Sequence, residues 1–529
     1  MENSLSQLKE IMPENAYGAN STMFSMSLEG WRRGLKLKFF TKYVKNQVKI
    51  RYTLSSEERD ITFQLSLAET VPKETRKTTR SKKNTKKALQ NSNVPTPKGK
   101  SFDEENSDEE VINYAKTLEY PLVIKPTNAS LGIGVVTGIY DDQTLVDSVK
   151  NLRNKKGYKE MIVEQQVTGE DTRLFVVGNQ VCSAFKRIAA NVVGDGKHTI
   201  EELIKIKNKE RRINPHLSKS QIKLGKELRE YLESHGLSLE TIPQKGERVF
   251  LNESTIASAG AETVEVTNEL TEESKRIAVE AAKSLPGLVV CGVDIMIDKK
   301  KRTNYVLELN SRPNIGGSLF PVEGEAQNIS KHIIDYYFPE SISDDETSGR
   351  NKLYFDYESI EKILKSGIVE EVTVPSLPDN DLVFKQLKVS GKVQGVGFRN
   401  WVYKKAIGRK ISGYVKNLKD KSVLIVAAGS QNKVDQFTEV VRKHNTKKIQ
   451  VEKVKEDEYT EPVKVGFEIV NKPGKIKTLK NNLNKEQEKN KKLTYELEQT
   501  TKQLKSLKQS KSWKYTLPMR KIIRLIKNK

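Results

Sequence analysis

Two apolar runs joined by a polar turn constrain this chain more than any other feature. The segment Cys291-Gly-Val-Asp294-Ile-Met-Ile-Asp298-Lys-Lys-Lys-Arg-Thr-Asn304-Tyr-Val-Leu-Glu308-Leu-Asn310 reads as a β-hairpin turning near Lys301. With that centre Asp294 stands directly across from Glu308, and Asn310, two residues further on, shares their face. Directly opposed Cβ atoms lie about 5 Å apart. Two carboxylates at that spacing repel unless a cation bridges them, and three hard oxygen donors suit Mg²⁺ shared with phosphate oxygens. The competing reading is an exposed hairpin with incidental acids.

Two further segments bear on that choice. Tyr120-Pro-Leu-Val-Ile-Lys125-Pro126-Thr-Asn-Ala-Ser130-Leu-Gly132-Ile-Gly134-Val is a buried strand ending in a lysine, then a small-residue loop whose backbone amides can cover phosphates. Met161-Ile-Val-Glu164-Gln-Gln-Val167-Thr-Gly169-Glu170-Asp171-Thr-Arg173-Leu-Phe-Val-Val is a strand ending at a glutamate, followed by one opening at an arginine able to neutralise phosphate. Gly194-Asp-Gly196-Lys197-His198 does not make a Walker A loop, because histidine follows the lysine and the spacing is wrong.

In this order the segments resemble the ATP-grasp superfamily, most closely the ATP-grasp modules of cyanophycin synthetase and of the bifunctional glutathione-synthesising ligase. The likeness extends over about residues 75–339 and includes Asn191-Val-Val-Gly-Asp-Gly-Lys-His-Thr-Ile200, Gly246-Glu-Arg-Val-Phe-Leu251 and Glu308-Leu-Asn-Ser-Arg-Pro313. The resemblance implies ATP with Mg²⁺ or Mn²⁺. It places Lys125 and a lysine of the Ser81-Lys-Lys-Asn-Thr-Lys86 stretch, Lys86 being the choice, on the phosphates. Ser130, Gly132 and Gly134 form the lid, and Glu164, Gln165 and Val167 line the adenine hinge. Arg173 and Arg187 face phosphate or acyl phosphate, and Asp294, Glu308 and Asn310 hold the metal. The implied reaction is carboxylate–amine ligation through an acyl phosphate, on amino acids or peptides. Positioning and charge neutralisation carry such chemistry, so cations and metal ligands recur in place of a nucleophile dyad. Relatives differ at residues 252–261 and near Ser318, where an acceptor binds, so the acceptor does not carry over.

A second module begins near residue 383. Its strand, helix, strand, strand, helix, strand pattern to about residue 470 suggests a ferredoxin-like fold. Val389-Ser-Gly391-Lys-Val-Gln-Gly395-Val-Gly397-Phe-Arg399 puts free amides, a helix start and a guanidinium together, a cradle for phosphate. With Asn417 near a strand end, this resembles acylphosphatase. By that resemblance Arg399 binds an acyl phosphate and Asn417 orients the attacking water. The bland alternative keeps the fold as a packing module.

The expected organisation is therefore an α/β and α+β multidomain chain. It comprises a small α/β domain (1–72), an ATP-grasp domain (73–339), a linker with a short helix (340–381), a ferredoxin-like acylphosphatase domain (382–471) and a basic coiled-coil tail (472–529). In the first domain a helix is expected near residues 25–33 and strands at 35–40, 48–52 and 61–65. Residues 73–87 hold eight Lys or Arg against one Glu, and on composition alone read as a solvated helix face.

Net charge is +23, but the tail concentrates it: sixteen lysines and two arginines against four glutamates. Ile476, Leu479, Leu483, Leu493, Leu497, Leu504 and Leu507 fall on a 3–4 spacing, with Asn490 at an a position, which reads as a dimeric coiled coil or else a lone solvated helix. Beyond it, Ser512-Trp-Lys-Tyr-Thr516-Leu-Pro518-Met-Arg520 and a short basic amphipathic helix resemble endings found after coiled coils in bacterial glycosyltransferases and surface-polymer proteins. Anionic membrane and an envelope-synthesis protein are both candidate partners there; nucleic acid is disfavoured because no reader fold accompanies the charge.

The longest nearly apolar run, residues 287–297, is far short of the roughly 20 residues that span a bilayer. No secretory signal is visible at the N-terminus, so the cytoplasm is expected, with the inner membrane face as a site of peripheral attachment. Cys182 and Cys291 are expected as reduced buried thiols, and five scattered histidines offer no ligand spacing. The competing function is a nucleotide-binding scaffold of envelope-polymer synthesis in which only the acylphosphatase is active.

Overall fold

The computed structural model describes residues 4–127, 133–341, 349–377, 382–470 and 500–501. Apart from residues 500–501, the expected coiled coil and the basic helix after it lie outside them. Among the described residues two compact units emerge, one built on residues 4–384 and the other on Lys385–Ala427, Lys433–Tyr459 and Gly466–Val470. Among the described residues no helix is long and apolar enough to cross a membrane.

In the first unit, after a short helix Ser4–Ile11, the helix Asn20–Arg32 packs on an antiparallel sheet. Strands Lys36–Val44 and Gln47–Ser55 are joined by Lys45 and Asn46, both at positive φ, as a two-residue hairpin turn between right-twisted strands requires. Alternation then sorts the faces. Leu37, Phe39, Tyr52, Leu54, Ile61 and Phe63 are buried, while Phe40, Lys42 and Arg51 lie on the opposite face. Phe24 and Trp31 of the helix meet Phe39, Phe355 and Tyr357 in an aromatic cluster.

Here the structure corrects the expected linker. Residues 371–374 form an edge strand that pairs antiparallel with Lys36–Val44, Leu37 against Val374 and Phe40 against Glu371. The helix Tyr357–Lys365 sends Tyr357 into the aromatic cluster, and its Glu361 accepts a hydrogen bond from Asn15 Nδ2 at 2.6 Å. Apolar side chains recruit this stretch into the first sheet, so it is a structural element and not a tether.

Two more sheets carry the candidate site. One runs Gly99–Phe102, Met161–Gln165, Leu122–Pro126, Val136–Ile139; the other runs Glu262–Glu265, Gln180–Ile188, Glu170–Val177, Val290–Asp298, Thr303–Asn310. The back of the second sheet packs Leu174, Val176, Val293, Ile295, Val306 and Leu309 against Ile277, Ala278, Ala281 and Ala282 of the helix Glu272–Lys283. Burying that face leaves the opposite one for polar side chains.

The second unit has strands Leu382–Lys392, Ser412–Asn417, Val423–Ser430 and Gln450–Glu458 with helices Phe398–Ile407 and Gln431–Arg442 in the expected order. A further strand, Phe467–Val470, pairs parallel with Ser412–Asn417. Both cysteines are free and buried, and burial pushes each thiol up to about 12.

Candidate functional site

Glu164 ends the central strand of the first site sheet, paired with Val123 on one side and Gly99 on the other. Gly99 is at φ +157°, and a Cβ there would come within 2.5 Å of the Glu164 Cα, so glycine is required for this approach. Glu164 Oε1 is ion-paired with Lys125 Nζ, and Glu164 Oε2 accepts from Lys86 Nζ at 2.8 Å. Lys86 Nζ also donates to the Pro97 carbonyl. All three side chains are at most 14% exposed. Burial opposes ionisation of Glu164, yet the two lysine charges and their hydrogen bonds outweigh it and hold the carboxyl below its usual range. Lys86 is lowered, first by burial and then by Lys125, with Glu164 opposing.

Lys86 comes from the helix Lys82–Asn91, whose first turn Ser81 caps by accepting the Asn84 N–H. Lys82 and Lys86, four residues apart, share one face of it. Lys86 reaches Glu164, and Lys82 reaches Glu308 Oε2 at 3.3 Å. The basic stretch is thus not simply a solvated face: its helix spans two acidic centres. A narrow cleft lined by Lys82, Lys86, Lys125, Glu164 and Leu307 lies between them.

The second centre stands on the polar face of the neighbouring sheet. Asp294 pairs with Glu308 on one side and Arg173 on the other. A β-bulge between Asp294 and Ile295 makes the first pairing: Ile295 faces Val306, Asp294 faces Glu308, and the extra residue Leu307 turns Glu308 away from the core side that holds Val306. Arg173 grips Asp294 with both forks, Nε to Oδ1 at 2.6 Å and Nη2 to Oδ2 at 2.7 Å. Arg187 Nη2 lies 3.5 Å from Asp294 Oδ1 and donates to Asp171 Oδ1 at 2.5 Å. Burial works against the Asp294 charge, but Arg173 and then Arg187 depress its pKa overall; Arg173 in turn is raised by Asp294 against its own burial. Asn310 is half-buried beside them, its Oδ1 accepting the Arg312 N–H at 2.9 Å.

Of the other expected residues, Gln165 turns toward Glu119, 3.0 Å away, and Val167 is half-buried. Gly134 sits at φ +77° beside Pro126 and Tyr158, while Ser130 and Gly132 lie outside the described residues. Sequence reasoning passed over Asp171, which also accepts from Thr255 Oγ1 at 2.7 Å; strand alternation from Arg173 was the available signal. It also passed over His216, whose buried Nδ1 has no hydrogen-bond partner and lies beneath Gly316. No local pattern marked that residue.

In the second unit Gly395 and Gly397 are at φ +76° and +86°, and the helix Phe398–Ile407 starts immediately after, with Arg399 in its first turn. Gln394 Nε2 ties this loop to the Leu418 and Ser422 carbonyls at 2.9 and 2.7 Å. That anchors it to the turn following Asn417, whose Oδ1 is buried and lacks a partner.

Residues 79–221 and 256–336 match the RimK-like ATP-grasp domain, and residues 385–469 match acylphosphatase. The glutathione biosynthesis bifunctional protein GshAB of Clostridium perfringens is 33% identical over 263 residues, 48% of this chain and 33% of that one. Cyanophycin synthetase of Crocosphaera subtropica is 31% identical over 265 residues, 49% of this chain and 30% of the other. The crystal structure of a bifunctional glutathione synthetase from Pasteurella multocida superposes with a TM-score of 0.45 at 24% identity, over 57% of this chain and 41% of that one. The chain spans about a third of the length of the curated relatives it matches.

Proposed function

We propose that this chain, in which a RimK-like ATP-grasp domain is joined to an acylphosphatase domain, is an ATP-dependent carboxylate–amine ligase with an attached acyl phosphate hydrolase. The observation that carries the reading is the helix Lys82–Asn91 linking the Lys86–Glu164–Lys125 cluster to the Asp294–Glu308 pair. A nucleotide with its phosphates in that cleft meets cations at one end and carboxylates at the other.

The carboxylate oxygen of the acid attacks the γ-phosphorus and ADP leaves. The amine nitrogen then attacks the acyl carbon, phosphate departs, and the amine gives up a proton. Lys125 and Lys86 exchange Glu164 for phosphate oxygens, and Arg173 and Arg187 neutralise charge on the transferring group. Asp294, Glu308 and Asn310 are hard oxygen donors on paired strands, and such donors would suit a small divalent ion, Mg²⁺ or Mn²⁺, whose remaining ligands are phosphate oxygens. When bound, that ion offsets phosphate charge.

In the acylphosphatase domain, water cleaves an acyl phosphate to free carboxylate and inorganic phosphate. In this reading Arg399 and the amides of residues 395–399 hold the phosphoryl group and Asn417 Oδ1 accepts a hydrogen bond from the water, which is supported by the start of the helix at Phe398 and by the buried Asn417 Oδ1 having no partner.

The test is ADP release by the purified chain across a panel of acids and amines, with mass spectrometry of the products. Metal-dependent ADP formation that requires both substrates, and falls at least about a hundredfold in Glu308→Gln, is the expected result. Nucleotide binding without turnover across the panel favours the scaffold reading.

A further inference from the structure

The polar face of the N-terminal sheet carries a cavity of about 350 Å³ lined by Lys42, Arg51, Thr62, Gln64, Glu69 and Arg76, among others. Three cations face one carboxylate there. Arg51 Nη1 and Arg76 Nε are buried and have no hydrogen-bond partner. Donors withdrawn from water without an acceptor are costly, and guanidinium groups in native proteins rarely stay so. Arg312 adds to the excess: its charge and that of Arg76 bear on Arg51 after burial itself, all three acting to lower the Arg51 pKa, and Arg80 does the same to Arg312 after burial. Among the described residues no carboxylate is paired with any of these four arginines. The chain holds mutually repelling guanidinium groups on a surface where the one lining carboxylate, Glu69, is outnumbered and paired with none of them.

The position is equally specific. Arg312 follows Asn310 by two residues and its N–H donates to the Asn310 side chain. Ser66 Oγ donates to the Pro313 carbonyl at 2.7 Å, and Ser311 Oγ meets Thr79 Oγ1 at 2.8 Å. The basic cavity is therefore fastened to the end of the candidate metal-binding hairpin. We infer that this cavity is the binding site for the remote carboxylates of an oligo-anionic substrate, held by the forks of Arg51, Arg76 and Arg312 while one end of the molecule reaches the phosphoryl-transfer centre. The inference rests on the ligase reading, because that chemistry requires an acid. Planar guanidinium groups match carboxylates two bonds at a time, so the class is an acidic peptide or oligo-acid.

Full-length protein is titrated with fluorescein-labelled tetraglutamate, with an uncharged peptide of equal length and with tripolyphosphate as competitor. The expected result is tetraglutamate binding weakened at least tenfold in Arg51→Gln/Arg76→Gln, with nucleotide-analogue affinity unchanged as the sign of intact folding. The single variant Arg76→Gln carries the same test should the double variant not melt cooperatively. Equal affinity in wild type and variants overturns the site, and assigns binding to the basic tail. Tripolyphosphate binding at Arg51 and Arg76 without tetraglutamate binding overturns the carboxylate class. ADP release whose acid KM is unmoved in the variants removes this inference and leaves the ligase standing. Arginine-dependent tetraglutamate binding by a chain that never releases ADP leaves the site standing and removes the ligase.

Discussion

Glu164 and Asp294 face the same conflict and resolve it alike. Burial of a carboxylate favours its neutral form, while each here touches cations close enough to reverse that preference. The outcome is a buried carboxylate held as an anion by the cations around it. His216 has no such partner. Burial, followed by repulsion from Arg211 and Arg173, lowers its pKa from 6.5 to about 4. A depressed histidine is neutral in the fold and charged in the unfolded chain at pH 5. Its contribution is complete above its unfolded pKa near 6.5 and disappears as pH falls through its folded value near 4. Urea unfolding followed from pH 7 to pH 4 should therefore show stability falling by at most about 3 kcal/mol on this account. His216→Asn should flatten that part of the curve. An equal slope in the variant would place the pH dependence elsewhere.

At the scale of elements, one bulge and one borrowed strand decide most. Alternation alone faces Asp294 with Glu308 only if the turn lies at the right place. From the observed turn the strands run Asp298 against Thr303 and Ile295 against Val306, a register that would match Asp294 with Leu307. The bulge restores the carboxylate pair, and the core assignments of Val306 and Leu309, three apart, are the trace it leaves in sequence. The borrowed strand left no comparable trace, because four residues with modest alternation resemble any exposed β segment. Val372→Pro should test its weight. Proline removes a ladder donor even from an edge strand, so the first unit should lose about 1–3 kcal/mol in denaturant unfolding. An unchanged melting temperature would mean that Trp31, which donates to the Pro375 carbonyl at 2.8 Å, anchors the segment by itself.

At the scale of the whole molecule, the proposed function joins two complementary reactions in one chain, making an acyl phosphate in the region that matches the RimK-like ATP-grasp domain and cleaving one in the region that matches acylphosphatase. Arg399→Ala should slow breakdown of a model acyl phosphate by about a hundredfold or more while ADP formation by the ligase continues. Loss of both activities would show that the division of labour is wrong. Much of this plan was legible from residues alone. Family-like phrases marked both domains, and period-two alternation marked the side of the hairpin strand that carries Asp294, although the bulge was needed to bring Glu308 opposite it. What the lysines of the helix Lys82–Asn91 touch, which guanidinium groups Asp294 keeps, and where residues 371–374 pair all depend on partners far away in sequence. Backbone stereochemistry is written into adjacent residues, so the chain itself dictated its hairpins, helices and candidate donors. Burial, which strips water from a charge and forces it to find a partner, exists only after distant segments pack, and so only the tertiary structure decided which charges meet and which arginines are left without a counter-charge.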